Sequence, residues 1–167
     1  MKPVTPEAPA PGLWLGFDYG AWRIGVALGD TRIGSARPLT TLQARNTHQI
    51  DWAAIAALIQ EWQPVGCVVG WPLTDHGEPY PIADFIARFA QRLHGRFCLP
   101  IHFADERLSS EQAERRLGNR LGNAALQKTP GLIDAGAAAI ILDTFLHQTQ
   151  PAPRPPLTHA RPARTST

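Results

Sequence analysis

Four acidic residues stand where a chain of strands and helices could use them for chemistry. Asp18 closes the apolar run LWLGFD at residues 13–18. Asp105 and Glu106 follow directly on FCLPIHFA at residues 97–104. Asp134 falls in the second turn of a long apolar segment that opens at Thr129-Pro130. In open α/β sheets, functional groups gather at the carboxyl ends of strands. Carboxylates held close together resist ionisation unless a cation neutralises them. Oxygen donors without Cys or His suit Mg²⁺ or Mn²⁺. Two such ions about 4 Å apart can drive phosphodiester hydrolysis. Each acid also has an ordinary role open to it. Asp18 could cap a turn, Asp105-Glu106-Arg107 could be a surface ion pair, and Asp134 could complement a helix dipole. The neighbourhoods tilt towards chemistry. Asp18-Tyr19-Gly20 puts glycine where a strand turns sharply or a phosphate nears the backbone. The run AGAAA at residues 135–139 has side chains small enough for a helix to lie close to a sheet.

The elements that must position these acids follow from periodicity. Ile24–Leu28 and Ala36–Leu42 read as second and third strands, and short connections make the first three an antiparallel meander. Ile55, Leu58, Ile59 and Trp62 mark one face of a helix, with Asn46 and Gln49 as its starting signal. Residues 66–70, GCVVG, read as a buried strand. Ile82, Phe85, Phe89 and Leu93 mark a second amphipathic helix. The stretch 97–104 reads as a strand that Pro100 confines to a sheet edge. Ser109 with Gln112 opens a third helix, and Thr129-Pro130 a fourth that runs to about Leu146. The order βββ-α-β-α-β-α-α implies a mixed sheet with helices on its faces.

Four blocks of the chain, DYGAWRIGVALGD (18–30), VVGWPLTDHGEP (68–79), ADERLSSEQAE (104–114) and IDAGAAAIILDTFL (133–146), resemble the YqgF/RuvX family in order and spacing. The resemblance covers roughly residues 13–147, and the pair DxGxxRIGVA with DER[LF][ST][ST] is specific. It implies an RNase H-like fold with a five-stranded sheet of order 3-2-1-4-5. It also implies a metal-dependent nuclease, acting either on the 5′ end of pre-16S rRNA in ribosome biogenesis or on Holliday junctions in recombination. By motif match, Asp18 carries over as the first metal ligand and Asp134 as the last. The middle ligand falls on Asp105 or Glu106, whose side chains point opposite ways on an extended segment. The expected cofactor is Mg²⁺ or Mn²⁺, as two ions. The expected partners are a nucleic acid, either rRNA precursor or branched DNA, and a ribosomal particle, with the chain a monomer or a homodimer. The sequence departs from the family pattern at Trp22, at Trp71–Gly77, and before Asp134, where Lys128 is the only charge in GNAALQKTPGLI. Arg23, Arg107 and Lys128 are candidates for phosphate contact. Trp22 and Trp71 are each either a base-stacking platform or core.

Charge and composition bound the remaining choices. The 167 residues carry 16 Lys+Arg and 14 Asp+Glu, a formal +2. Residues 1–11 hold one Lys and one Glu, and residues 151–167 hold three Arg and no acid; removing them leaves 12 basic and 13 acidic side chains, a net −1. Nine of 16 prolines also lie in these tails. Both tails are therefore expected to be disordered, flanking one nuclease domain over residues 12–150. Two divalent cations would bring the body from −1 to +3, so the attraction for phosphate is expected to come from metal. No apolar run approaches the roughly 18 residues of a membrane span. With no signal-peptide pattern and two isolated cysteines, a cytoplasmic location is expected. Motifs of serine hydrolases, zinc proteases, P-loop enzymes and dinucleotide binders are missing. Two other classes compete with the nuclease. A nucleotide-binding phosphotransferase would need a second facing domain. A non-catalytic RNA-binding module would not need the clustered acids, and dependence of binding on divalent cations would tell it apart.

Overall fold

The computed structural model describes residues 9–20, 22–44, 49–71, 82–105 and 132–147. Five strands, β1 (Leu13–Tyr19), β2 (Arg23–Asp30), β3 (Ser35–Gln43), β4 (Gly66–Trp71) and β5 (Ile101–Asp105), form one mixed sheet of order β3-β2-β1-β4-β5. The pairs β1/β2 and β2/β3 are antiparallel, while β1/β4 and β4/β5 are parallel. Three helices are described: α1 (Trp52–Trp62), α2 (Ala83–Phe97) and α3 (Leu132–His147). The expected tails, the helix opening at Ser109 and Gln112, and the Thr129-Pro130 start lie outside the described residues, apart from residues 9–11. There the Ala10 carbonyl accepts a hydrogen bond from the Trp14 indole at 2.9 Å.

Alternation along the strands divides the sheet into two faces. One face carries Leu15, Phe17, Ile24, Val26, Cys67 and Val69, packed under Ile55 of α1 and Ile86, Phe89 and Leu93 of α2. The other carries Trp14, Ala27, Ala36, Val68 and Ala104, packed under Ala138, Ala139 and Leu142 of α3. Helix α3 is apolar almost all round, as a helix enclosed on several sides is. Asp143 and Thr144 are buried in it as well.

Three local readings change. Helix α1 starts at Asp51, whose carboxylate accepts from the Ala54 amide at 3.0 Å, rather than at Asn46. Just before this cap Ile50 bridges to Ala44, while Asn46 itself lies outside the described residues. On α2 the buried stripe is Ala83, Ile86, Phe89, Ala90 and Leu93, with Ile82 and Phe85 on its flank. Pro100 precedes β5, which does lie at the sheet edge, and its carbonyl accepts from the Cys67 amide at 2.9 Å. Pro38 sits inside the opposite edge strand, where the register shifts between Val26 and Ala27, so no ladder needs its missing N–H.

Candidate active site at the carboxyl edge of the sheet

Asp18 is the sixth of seven residues in β1, a strand with paired neighbours on both sides. It is half-buried and lies opposite Gly25 of β2. Its position shares a face with Gly16, which packs against α3. Tyr19, on the opposite face, packs against Phe89 with ring centroids 5.1 Å apart. Burial raises the Tyr19 pKa, and the positive charges of Arg92 and Arg88 pull against it. The chain then turns at Gly20, whose amide donates to the Arg23 carbonyl at 2.9 Å. A Cβ on Gly20 would stand 2.9 Å from that same oxygen, so the glycine is required by the turn itself.

The parallel strands bring a second acid to this edge. Phe17, Val69 and Phe103 stand in one row across β1, β4 and β5. Asp18 is one residue beyond that row. Asp105 is two residues beyond it and pairs in register with Trp71. Strands β1 and β5, on either side of β4, are two strand spacings apart, about 10 Å.

Helix α3 reaches the same edge because the sheet beneath it is small. A Cβ on Gly16 would stand 2.8 Å from Leu142 Cβ and 3.2 Å from the Ala138 carbonyl, and one on Gly29 would meet Leu142 and Leu146. These pairings also orient the helix. Leu146 and Phe145 lie over the Gly29 and Trp14 end of the sheet, so the helix start lies over the Asp18 end. From Gly16 to Asp18 is two strand residues, about 7 Å. From Ala138 back to Asp134 is four helical residues, about 6 Å. The backbone of Asp134 therefore stands level with that of Asp18. The described part of the helix begins at Leu132, and the expected start at Thr129-Pro130 lies outside it.

Arg23 is exposed at the start of β2, two residues from Gly25, and so takes a position on the Asp18 face. Glu106, Arg107 and Lys128 lie outside the described residues, as do the side chains of Asp105 and Asp134. Among described residues, no group of three His, Cys, Asp or Glu side chains could hold a metal ion. The two tryptophans separate cleanly: Trp22 is 69% exposed beside the Gly20 turn, while Trp71 is 6% exposed against Phe103.

The family model described as RuvX, Holliday junction resolvase, matches residues 12–148. The chain belongs to the RuvX family. It is 43% identical over 139 residues to a “Putative pre-16S rRNA nuclease” of Sodalis glossinidius, covering 83% of this chain and 96% of that protein. A protein of the same name from Azotobacter vinelandii is 44% identical over 139 residues, covering 81% and 94%. Among solved structures, Thermus thermophilus RuvC in complex with a Holliday junction substrate is similar with a TM-score of 0.57 at 14% identity. That match covers 84% of this chain and 99% of RuvC. The fowlpox virus Holliday junction resolvase is similar with a TM-score of 0.50 at 11% identity, covering 80% and 96%. These two structures establish the shared RNase H-like fold, and the family and curated relatives establish a nuclease.

The donor chemistry of this RuvX edge fits a hard divalent cation. The motif acids offer only carboxylate oxygen. The sulfur ligands are elsewhere: Cys67 is buried in the core, where desolvation pushes its thiol up to about 12, and Cys98 follows the last residue of α2. Among described residues, no helix is long and apolar enough to cross a membrane.

The arginines of α2 went unread in the sequence. Arg88, Arg92 and Arg96 recur every fourth residue on the exposed face of that helix. That spacing was the available signal.

Proposed function

We propose that this RuvX protein is a metal-dependent endonuclease that processes the 5′ end of precursor 16S rRNA. The observation that carries the reading is the close approach of α3 to β1 at Gly16, one helical turn from Asp134 and two residues from Asp18. Asp18 and Asp134 are the outer ligands of two Mg²⁺ or Mn²⁺ ions. For the middle ligand we favour Glu106. Ala104 shares the α3 face, and counting by twos from Ala104 reaches Glu106 and skips Asp105. When bound, the ions supply Lewis acidity and charge neutralisation at the scissile phosphodiester. The chain's own residues orient the substrate there. Arg23 meets a phosphate from the Asp18 face, Arg107 and Lys128 add further cationic contacts, and Trp22 stacks on an unpaired base.

The catalytic body spans residues 12–150 and works in the cytoplasm on a ribosomal precursor particle. The Pro- and Arg-rich residues 151–167 add salt-sensitive attraction to nucleic acid without belonging to the active site. The family model's description favours a second substrate, the four-way DNA junction. A junction has two-fold symmetry and calls for a symmetric homodimer, whereas a single-strand cut is served by a monomer. Cleavage of a precursor 16S rRNA 5′ end and of a four-way junction should be compared side by side in Mg²⁺ and Mn²⁺. The expected result is metal-dependent cutting of the rRNA. Cutting of the junction alone would transfer the assignment to resolution, and cutting of neither would end the nuclease reading.

A further inference from the structure

Helix α2 carries a positive row on a body whose net charge is close to zero. Arg88, Arg92 and Arg96 are all exposed, one helical turn apart, so successive guanidinium groups leave the helix about 6 Å apart. Within α2 the only acid is Asp84, in its first turn. Among described residues, no carboxylate pairs with any of the three arginines. Aromatic rings hold them in place instead. Arg96 and Arg92 lie over the Trp52 ring at 4.5 and 5.0 Å, and Arg88 lies over Phe85 at 5.8 Å. Trp52 is itself stacked on Phe89 at 5.6 Å, so the platform is fixed by the core. A guanidinium held over a ring by cation–π attraction can still donate to a phosphate and has less rotamer entropy left to lose.

The row also leads to the candidate site. Helix α2 links the parallel strands β4 and β5, so it runs back from the carboxyl edge towards the opposite edge. Tyr19, the neighbour of Asp18, packs on Phe89 with ring centroids 5.1 Å apart, and Phe89 lies between Arg88 and Arg92 on α2.

We propose that Arg88, Arg92 and Arg96 form a phosphate track that grips the single-stranded backbone flanking the cleavage position. The proposal rests on the nuclease reading for its substrate, but the track can be measured without cleavage. Planar guanidinium groups at regular spacing match successive phosphates and carry no base preference. Each phosphate contact on a single strand adds about 0.7 to the slope of log K against log salt.

The test is fluorescence anisotropy of labelled poly(U) against KCl in EDTA, with the full chain. The triple change Arg88→Gln, Arg92→Gln, Arg96→Gln is expected to lower the slope by about 2, and each single change by about 0.7. The triple Lys variant is expected to keep most of the slope while losing the ring contacts. A triple Gln variant with wild-type slope would overturn the track, leaving the row to an acidic protein partner. If the triple Gln variant does not fold, Arg88→Gln decides alone, since it does not touch Trp52: an unchanged slope overturns the proposal. A wild-type chain that binds poly(U) through the row yet cleaves neither rRNA precursor nor junction would sink the nuclease reading and leave the track standing. No binding of poly(U) by the wild-type chain at low salt would overturn the track outright.

Discussion

The two faces of the sheet are built from different kinds of side chain. Under α3 the contacts are small: Gly16, Gly29, Ala27 and Ala36 meet Ala138, Ala139 and Leu142. Under α1 and α2 they are large: Phe17, Tyr19 and Trp52 each pack on Phe89. Aromatic burial supplies much of the stability of a domain this size. Small residues bury little area, but they let a helix backbone approach a sheet backbone closely. One face is thus specialised to hold the fold together, and the other to set a helix at a fixed height over the acid edge. Changes on the two faces should therefore divide between activity and stability.

The largest effect is expected on the small-residue side. Asp18→Asn and Asp134→Asn should each lower metal-dependent cleavage by more than about 100-fold, the upper end for losing an outer-shell partner of a metal ligand. Thermal unfolding should stay near wild type. Glu106→Gln should match them, and Asp105→Asn should retain most activity. Equal loss in the Asp105 and Glu106 variants would break the counting by face along β5.

A matched pair of packing changes tests the division directly. Phe89→Ala removes a ring shared by Phe17, Tyr19 and Trp52, and should cost about 3–5 kcal/mol of stability. Cleavage per folded molecule should be nearly unchanged. Gly16→Ala puts a methyl 2.8 Å from Leu142 Cβ and 3.2 Å from the Ala138 carbonyl. The helix must lift, at a cost of about 1–3 kcal/mol. Its cleavage per folded molecule should fall further than that of Phe89→Ala. Denaturant titration with initial rates on the same samples would settle the order, and a reversed order would dissolve the contrast.

This contrast was partly legible in the sequence. The run AGAAA announced a closely packed helix, and the order of strands and helices announced a sheet with helices on its faces. Gly16 gave no comparable signal, because its value depends on a helix more than 100 residues away in the chain. The start of α1 was misread as well. Asn46 and Gln49 have capping spacing, but Asp51 supplies the cap, its carboxylate accepting from the Ala54 amide, and Asn46 lies outside the described residues. Strand order and the edge position of Asp18 depend on short-range patterns and the family resemblance, and these agree with the fold. The fates of Trp22 and Trp71 were undecidable from residue type. Trp71 ends a strand that is buried throughout, whereas Trp22 stands exposed just before β2.

Trp22→Ala probes the edge without touching either core. Its carbonyl accepts from the Ala44 amide at 2.8 Å, a backbone bond that the substitution keeps. Stability should move by less than about 0.5 kcal/mol. Base stacking is worth about 1 kcal/mol or more, so KM for single-stranded substrate should rise about fivefold with kcat little changed. Trp22→Phe should recover most of the loss. An unchanged KM in both variants would remove Trp22 from the substrate path.

The smallest effect concerns thiols rather than activity. Cys67 lies on the aromatic face of β4, where burial pushes its pKa from about 9 up to about 12, while Cys98 is exposed beyond the end of α2. A disulfide-exchange reagent attacks the thiolate, so at pH 8 the native chain should react at one thiol and the unfolded chain at two. The shift also carries a sign for stability. Between about pH 9 and 12 the unfolded chain ionises Cys67 and the folded chain does not, so this residue makes stability fall as pH rises through that window. Cys67→Ala should flatten that part of the profile, and Cys98→Ala should leave it unchanged. If labelling of Cys67 in the native chain proceeds only as fast as global unfolding, the aromatic face is closed as a unit. Faster labelling would mean that α2 opens locally, and that face could not be the rigid half of the comparison.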